Sequence, residues 1–579
     1  MTKPNKTLSM DFNSFKGICL PQCHSGKESI SDIVNFHITE NGSVKKRSGY
    51  RHILSSEEKA INTVWSGKLR GAFKCYAVIA NVVYEINLKE KSKRYIGTLT
   101  SSGNSLCFFC YKDNLYIKDT EHFYLVTDSH IKLQYGFVPL LGKDWGTTLP
   151  GEIHQPLNLM NRYARISYKI SATYTNLLPT LYPVKSILSV YRNGIPLPED
   201  EYYFDANLNT INIKNGVSEG QYFLVAVEFK DNPEPYNEYL KDCSMAQSFG
   251  KINDFRVFAW GAKSKSSHIF ASSHVSDGDL LDSESLFSGY GELYFKKNNS
   301  FCVGDGSNSV TAVSRHYDRL LIFTDGDVWM ANAAISEAED LPVISINSTA
   351  GCASQRSNVM AGNDPVTVSK NSILKWTSQT DEINDCNAYS ISGDINEKLN
   401  KSFFENAVVH KNIYKNELWF LDPSRGDIIW IYNINNGSWV RFTGMSDVLG
   451  MFDSDGNVGF YTKNDIFIFD DSLRSDYNKF EEPINIEARL ESGILDFYTT
   501  NQKRLTEAEL VGDLNKKTRI TLSCDTGEKI SFEISDNSEH SITKLRVRSG
   551  RFKTARLLLT AHGDTEQTIH RIRIKAKEK

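Results

Sequence analysis

The phrase Tyr111-Lys112-Asp113-Asn114-Leu115-Tyr116-Ile117 returns as Tyr414-Lys415-Asn416-Glu417-Leu418-Trp419-Phe420 and again as Thr462-Lys463-Asn464-Asp465-Ile466-Phe467-Ile468. Each copy is a polar turn leading into a short aromatic strand. A looser copy, His316-Tyr317-Asp318-Arg319-Leu320-Leu321-Ile322-Phe323, continues through Asp325-Gly326 into Val328-Trp329-Met330. Units of a few strands cannot bury their own faces, so repeated units stack until a shared core is closed, as in propellers and solenoids. The copies are widely spaced and imperfect, which predicts a degenerate β-propeller with material inserted between blades.

Hairpin-type turn pairs recur along the chain, among them Asn41-Gly42, Asn193-Gly194, Asn215-Gly216, Asp305-Gly306, Asn436-Gly437 and Asp455-Gly456. Both residues of such a pair tolerate positive φ, which matches the twist of antiparallel strands. Between them lie aromatic and β-branched runs such as Asp427-Ile428-Ile429-Trp430-Ile431-Tyr432, too short for amphipathic helices. The class is mainly β. At 579 residues the chain exceeds the roughly 250–300 at which one core stops growing, so several domains are expected.

Departures from the repeat give the boundaries. Residues 1–55 read as an irregular N-terminal arm that leads into the first blade. Residues 56–159 are the first part of the propeller, 160–235 an inserted β-sandwich ending at Pro233 and Pro235, and 236–481 the rest of the propeller. A C-terminal β-sandwich takes 482–579, where Leu545-Arg546-Val547-Arg548 and Ile569-His570-Arg571-Ile572-Arg573-Ile574 alternate apolar with basic residues at the period of a half-buried strand.

A search for chemistry is mostly negative. Gly26-Lys27 is followed by Glu28 and Gly250-Lys251 by Ile252, so neither makes a phosphate loop, and neither HExxH nor GxSxG occurs. Cys107-Phe108-Phe109-Cys110 has metal-ligand spacing but lies in a strand-like run, where residues three apart face opposite ways, so both are read as core residues. Cys19, Cys23 and His24 lack a completing ligand pair, and Asp453-Ser454-Asp455-Gly456 has Asn464 where a calcium loop needs its last carboxylate, which leaves a hairpin turn. Ten cysteines without a dense pattern are read as reduced thiols. The expectation is no enzyme, no cofactor and no metal. A formal charge of -4 argues against binding nucleic acid through a globally basic surface and leaves a local patch open. Two basic groups, Lys45, Lys46, Arg47 and Arg51, and the row Arg546, Arg548, Arg551, Lys553 and Arg556, are read as solvated or protein-facing.

Asp32-Ile33-Val34-Asn35-Phe36, followed by Asn41-Gly42 and the basic run to Arg47-Ser48-Gly49-Tyr50, resembles an opening shared by tail proteins of phages, an arm ending in an NG-x-x-x-x-R-x-G-Y turn. Arg256-Val257-Phe258-Ala259-Trp260-Gly261, Leu321 to Trp329, and Ala350-Gly351-Cys352 with Ser390-Ile391-Ser392 follow in the same order. The chain is thus similar to the tail hub or tail nozzle family of short-tailed bacteriophages, also called packaged-DNA stabilisation proteins. That resemblance implies a structural virion protein that forms a homohexamer ring at the distal end of the tail, beneath the portal and adaptor, and carries fibres or spikes. It also implies a channel that retains packaged DNA until ejection through weak, non-specific contact. Assembly would take place in the host cytoplasm without membrane insertion, with Arg47, Gly49 and Tyr50 as assembly residues and an arm whose removal leaves a folded propeller. The competing expectations are a glycan-binding or glycan-cleaving propeller, for which carboxylates such as Asp381, Glu382 and Asp385 are abundant but without the spacing that would mark a catalytic pair, and a hub or baseplate component of a longer tail.

Overall fold

In the computed structural model the chain is described over residues 6–578, except 20–28, 102–105, 135–137, 144–151, 154–159, 171–176, 231–235, 251–255, 273–292, 296–298, 333–340, 379–385, 515–516, 535–537 and positions 58, 161, 181 and 318. Within those residues the fold is a β-propeller with an inserted β-sandwich and a C-terminal β-sandwich, and its two α-helices, Tyr236–Asp242 and Lys401–Asn406, are short.

Seven runs of four antiparallel strands make the blades. Six are continuous in sequence, and their first strands are Ile61–Leu69, Cys107–Tyr111, Met245–Phe249, Ala312–His316, Asn358–Ala361 and Val408–Asn412. Blade seven takes Gly450–Asp453, Val458–Tyr461 and Asp465–Asp470 from late in the chain and its outermost strand, Gly49–Ser55, from near the start. First strands touch between blades two and three, from blade four through to blade seven, and between blade seven and blade one. Tyr76 and Ile117 fill the joint between blades one and two, and Trp260 and Ile322 that between blades three and four. The ring is therefore closed by a strand from the far end of the chain.

The repeated phrases fall on hairpins. Lys112 and Asp113, at φ 47° and 58°, turn the chain between Tyr111 and Asn114, and Asn416 at 51° and Tyr317 at 57° sit at the equivalent place in blades six and four. A left-handed turn matches the twist of its flanking strands, which is why polar residues that tolerate it recur there.

The insert lies between blades two and three. One sheet contains Val138–Lys143, Glu152–Ile153, Tyr163–Lys169, Val184–Arg192, Ile195–Pro196 and Tyr222–Phe229, and a second contains Leu177–Pro179, Tyr202–Asp205 and Thr210–Ile213. Their facing side chains, among them Ile166, Tyr168, Ile211 and Phe223, form a core separate from the propeller's. The first strand lies ahead of the expected boundary at 160 because it pairs in parallel with Tyr163–Lys169, and a parallel partner needs no adjacent turn to announce it. Leu293 and Phe295 are buried between blades two and three, while Tyr294 between them is buried in the insert's core.

The arm expected to be irregular is instead woven into the C-terminal end. Thr7–Phe12 and Val44–Lys46 pair with Thr568–Glu578, Phe36–Ile38 pairs with Val44–Lys46, and Ile30–Val34 pairs with Ala488–Ser492. Ile30–Val34 also meets the outer strand of blade six through Val34 and Arg441, so one nine-stranded sheet runs from the propeller into the sandwich. Met10, Ile33, Phe36, Trp419, Leu490, Leu557 and Ile574 belong to one buried cluster. Burying these arm residues removes a large apolar area from water, at about 25 cal/mol per Å².

Candidate functional site: the closure joint at Arg47

Arg47 stands where the sandwich strand Val44–Lys46 hands over to Gly49–Ser55 of blade seven. Its Nη2 lies 2.6 Å from Asp476 Oδ2 and its Nη1 2.7 Å from Oδ1, while Nε donates to Asn35 Oδ1 at 2.9 Å. The carbonyls of Ser48 and Thr443 accept the remaining bonds at 3.0 Å each. The guanidinium also lies 5.6–5.9 Å from the ring centroids of Tyr50, Phe442 and Phe469. Side-chain exposures of 1% and 2% for Arg47 and Asp476 make this a buried, bidentate pair. Burial pushes the Asp476 carboxyl up from its usual range, and the Arg47 charge works against that rise.

Gly49 and Tyr50 complete the joint. A Cβ on Gly49 would lie 1.8 Å from the Ser475 carbonyl oxygen, so the close approach of these two backbones admits only glycine. The Tyr50 hydroxyl donates to the Gly444 carbonyl at 3.1 Å, and burial pushes its pKa up. The three residues expected to serve assembly are thus buried inside their own chain, where they fasten the last blade to the sandwich.

A second fastening lies beside it. Asp32 accepts from Arg441 at 2.5 Å and from Arg489 at 3.0 Å, with Lys398 at 3.7 Å, which ties the arm to blade six and to the sandwich strand Ala488–Ser492. Burial works to raise the Asp32 carboxyl, yet the hydrogen bonds and charges of Arg441, Lys398 and Arg489 hold it below its ordinary value. His37 Nδ1 lies 3.0 Å from Glu417 Oε1, whose other oxygen accepts from Trp419 Nε1 at 2.9 Å. A cleft of about 310 Å³ opens between these fastenings, lined by Arg47, Arg441, Arg489 and Asp476, whose charges already face one another.

The remaining sequence candidates resolve individually. Lys45 pairs with Glu566, Arg51 lies 3.5 Å from Asp470, and Lys46 donates to the Gly563 carbonyl, its pKa pushed down to about 8 by burial and by Arg47. The first basic group is therefore spent inside the chain. Cys107 donates to the Ala246 carbonyl on the side facing blade three, whereas Cys110 packs toward blade one, and burial raises both thiols. No group of three or more His, Cys, Asp or Glu side chains suited to a metal occurs among the described residues. Cys19 lies 3.7 Å from Asp394 Oδ1, while Cys23, His24, Asp381, Glu382 and Asp385 lie outside the described residues. Asp453 to Gly456 form the hairpin turn of blade seven, with the Ser454 amide donating to the Asn457 carbonyl at 2.9 Å. Arg546, Arg548, Arg551, Lys553 and Arg556 are all exposed at the end of the sandwich. Sequence reasoning missed Asp32 and Asp476, because the arginines bonded to them, Arg441 and Arg47, lie 409 and 429 positions away and no local pattern couples them.

No family model matches this chain, nor does any curated protein. Among solved structures it is similar to BamB from Moraxella catarrhalis, with 9% identity, a TM-score of 0.33 and coverage of 74% of this chain and 97% of that one. It is similar to the AfRom2 CNH domain with 7% identity, a TM-score of 0.35 and coverage of 72% and 98%. The likeness to an exo-β-1,3-galactanase from Phanerochaete chrysosporium has 8% identity, a TM-score of 0.19 and coverage of 81% and 95%. At such values none of these proteins lends its activity to this one.

Proposed function

We propose that this chain is a structural virion protein, a subunit of the distal ring of a phage tail that continues the DNA channel and retains packaged DNA until ejection. One observation carries the reading. The phrase from Asn41 to Tyr50, on which the resemblance to tail nozzle proteins rests, is the segment by which the chain closes its own propeller and ties it to the sandwich. A propeller fastened to its neighbour in this way is a rigid wedge, and wedges with lateral contact surfaces assemble into rings by heterologous interfaces. Closure into a propeller also leaves only short sheet edges exposed, which favours defined contacts over open-ended strand pairing.

In this reading the protein acts through geometry and gating. Its partners are further copies of itself as a homohexamer, an adaptor or portal-side ring above, fibres or spikes, and DNA held weakly in the channel. No helix among the described residues is long and apolar enough to cross a membrane. Immunogold labelling of particles from a lysate that contains this chain tests the proposal. Label at the distal end of short tails is expected; label at the base of long tails would move the chain to a baseplate, and a particle-free soluble pool would overturn the virion assignment. Incubation of the purified protein with host surface polysaccharide tests the enzyme reading, since shortening of the glycan would defeat a passive ring.

A further inference from the structure

The C-terminal sandwich ends in a crest whose backbone is fixed and whose cations are not. Lys503 is fully buried beneath it, donating from Nζ to the carbonyls of Asp496 at 2.8 Å, Thr499 at 2.9 Å and Lys553 at 2.5 Å. The rings of Phe497 and Phe552 flank that ammonium at 5.9 and 5.8 Å. One buried cation therefore holds the turn at 496–499 against the loop at 547–554. The loop is pinned again where Ser549 Oγ accepts from the Leu505 amide at 2.8 Å and where Phe552 and Lys503 exchange backbone bonds at 2.9 and 3.0 Å.

Three of the nearby carboxylates are turned to the backbone, while Glu507, opposite Arg546 across the strand pair, accepts from Lys575 Nζ at 2.7 Å. Glu528 accepts from the Gly550 amide at 2.7 Å, Asp525 from the Lys553 amide at 3.1 Å, and Asp496 from the Tyr498 amide at 2.9 Å. Meanwhile Arg504, Arg546, Arg548, Arg551 and Lys553 are exposed, and none of the five is in an ion pair among the described residues. The turn beside them holds two consecutive non-glycine residues in the left-handed region, Phe497 at φ 56° and Tyr498 at 58°. Such backbone is uncommon and strained, and it persists where the surroundings force it. Here it buries Phe497 under the loop while leaving Tyr498 63% exposed on a turn that Lys503 ties to the loop carrying Lys553.

We propose that this crest binds the phosphodiester backbone of a nucleic-acid strand without regard to sequence. Guanidinium forks match phosphate oxygens, a preorganised loop loses little freedom on binding, and an exposed aromatic ring next to a cationic row is the arrangement on which an unpaired base stacks. A phosphodiester backbone offers a regular row of anions that can engage several guanidinium groups at once, and it is the occupant proposed here. The inference deepens the proposed function, on which it rests only for taking DNA as the strand, and it gives the weak DNA contact a place.

The test uses the full chain with a labelled 20-nucleotide single strand and the 20-base-pair duplex of the same sequence, titrated by fluorescence anisotropy at several salt concentrations. Substituting Arg548, Arg551 and Lys553 together by alanine is expected to weaken binding about tenfold or more and to flatten the log–log salt dependence by about 2–3, near one per lost phosphate contact. All three side chains are exposed, so the variant should melt with the wild type. Tyr498→Ala separates the sources: an added loss of roughly fivefold or more on the single strand alone identifies an unpaired strand, and no change on either identifies the duplex. A blade-one control, K89A/K91A/K93A, should bind like the wild type; equal weakening there, or no effect of the crest variant, overturns the site. Salt-sensitive self-association lost in the crest variant, with no binding to either DNA, would assign the crest to a second copy of the chain and overturn it too. Tails that carry the gold label while the protein binds no DNA would sink this site and leave the ring standing.

Discussion

Arg47 shows how much a single side chain settles in this molecule. A guanidinium with 1% exposure is tolerable because Asp476 neutralises it and three further acceptors use its remaining donors. Arg47→Ala leaves Asp476 buried and unpaired, so a loss of about 3–5 kcal/mol in unfolding free energy is expected from chemical denaturation. The double variant R47M/D476L should recover part of that loss, since no buried charge remains, but not all, because the Ser48 and Thr443 carbonyls still lack their donor. A double variant no better than Arg47→Ala would show that the joint depends on packing shape instead of charge. Asp32 carries the pH dependence of the same region. Its carboxyl is held below the ordinary range, so its stabilising contribution is present above about pH 3.9 and is lost as pH falls through the lower, folded-state value. Asp32→Asn should therefore cost about 2 kcal/mol at pH 7, less than a fully buried pair because Arg489 and Lys398 are partly exposed, and should cost less near pH 2. Equal losses at both pH values would mean that Asp32 acts by shape.

At the scale of elements, the N-terminal strands decide the order in which the fold can be completed. Residues 1–50 contain Thr7–Phe12, Ile30–Val34, Phe36–Ile38 and Val44–Lys46 of the sandwich and the start of the strand that closes blade seven. Removing them strips Met10, Ile33 and Phe36 from the main core and leaves the strand Thr568–Glu578 without its partners on one side. The truncated chain is expected to lose both the sandwich and blade seven, seen as accelerated proteolysis at both, instead of remaining a folded propeller that fails only in assembly. A truncated protein with wild-type protease resistance would return the segment to the status of a docking arm. This difference also marks what the sequence could reveal. Hairpins such as Tyr111–Asn114 are written locally, because two adjacent residues must reach positive φ, and the blades followed from them. The pairing of Thr7 with Lys577 has no local signature, and the fastening residues Asp32 and Asp476 inherit that invisibility. The row from Arg546 to Arg556 was legible as charge, whereas the approach of Tyr498 to it depends on Lys503 joining two separate segments.

For the whole molecule, the question is whether insert and ring move together. Blades five to seven and the C-terminal sandwich share one core, so they should unfold as a unit. The insert has its own core, and one of the places where it meets the ring is the segment Leu293 to Phe295, whose alternate side chains enter opposite bodies. Tyr294 is 6% exposed in the insert, and Leu293 and Phe295 are fully buried in the ring, so ordering of one body is transmitted to the other through three consecutive residues. Domains joined through a small interface are expected to move independently, and this peg supplies a coupling between the two bodies. Tyr294→Ala removes the insert's hold while leaving both ring contacts in place, and a buried aromatic truncated in this way costs about 3–5 kcal/mol. Calorimetry of the wild type should give one dominant transition that includes the insert. The variant should split it, with a new transition at lower temperature and an unchanged one for the ring. If the two bodies still melt together in Tyr294→Ala, their coupling runs through other contacts, and the insert is fixed to the ring by more than this peg.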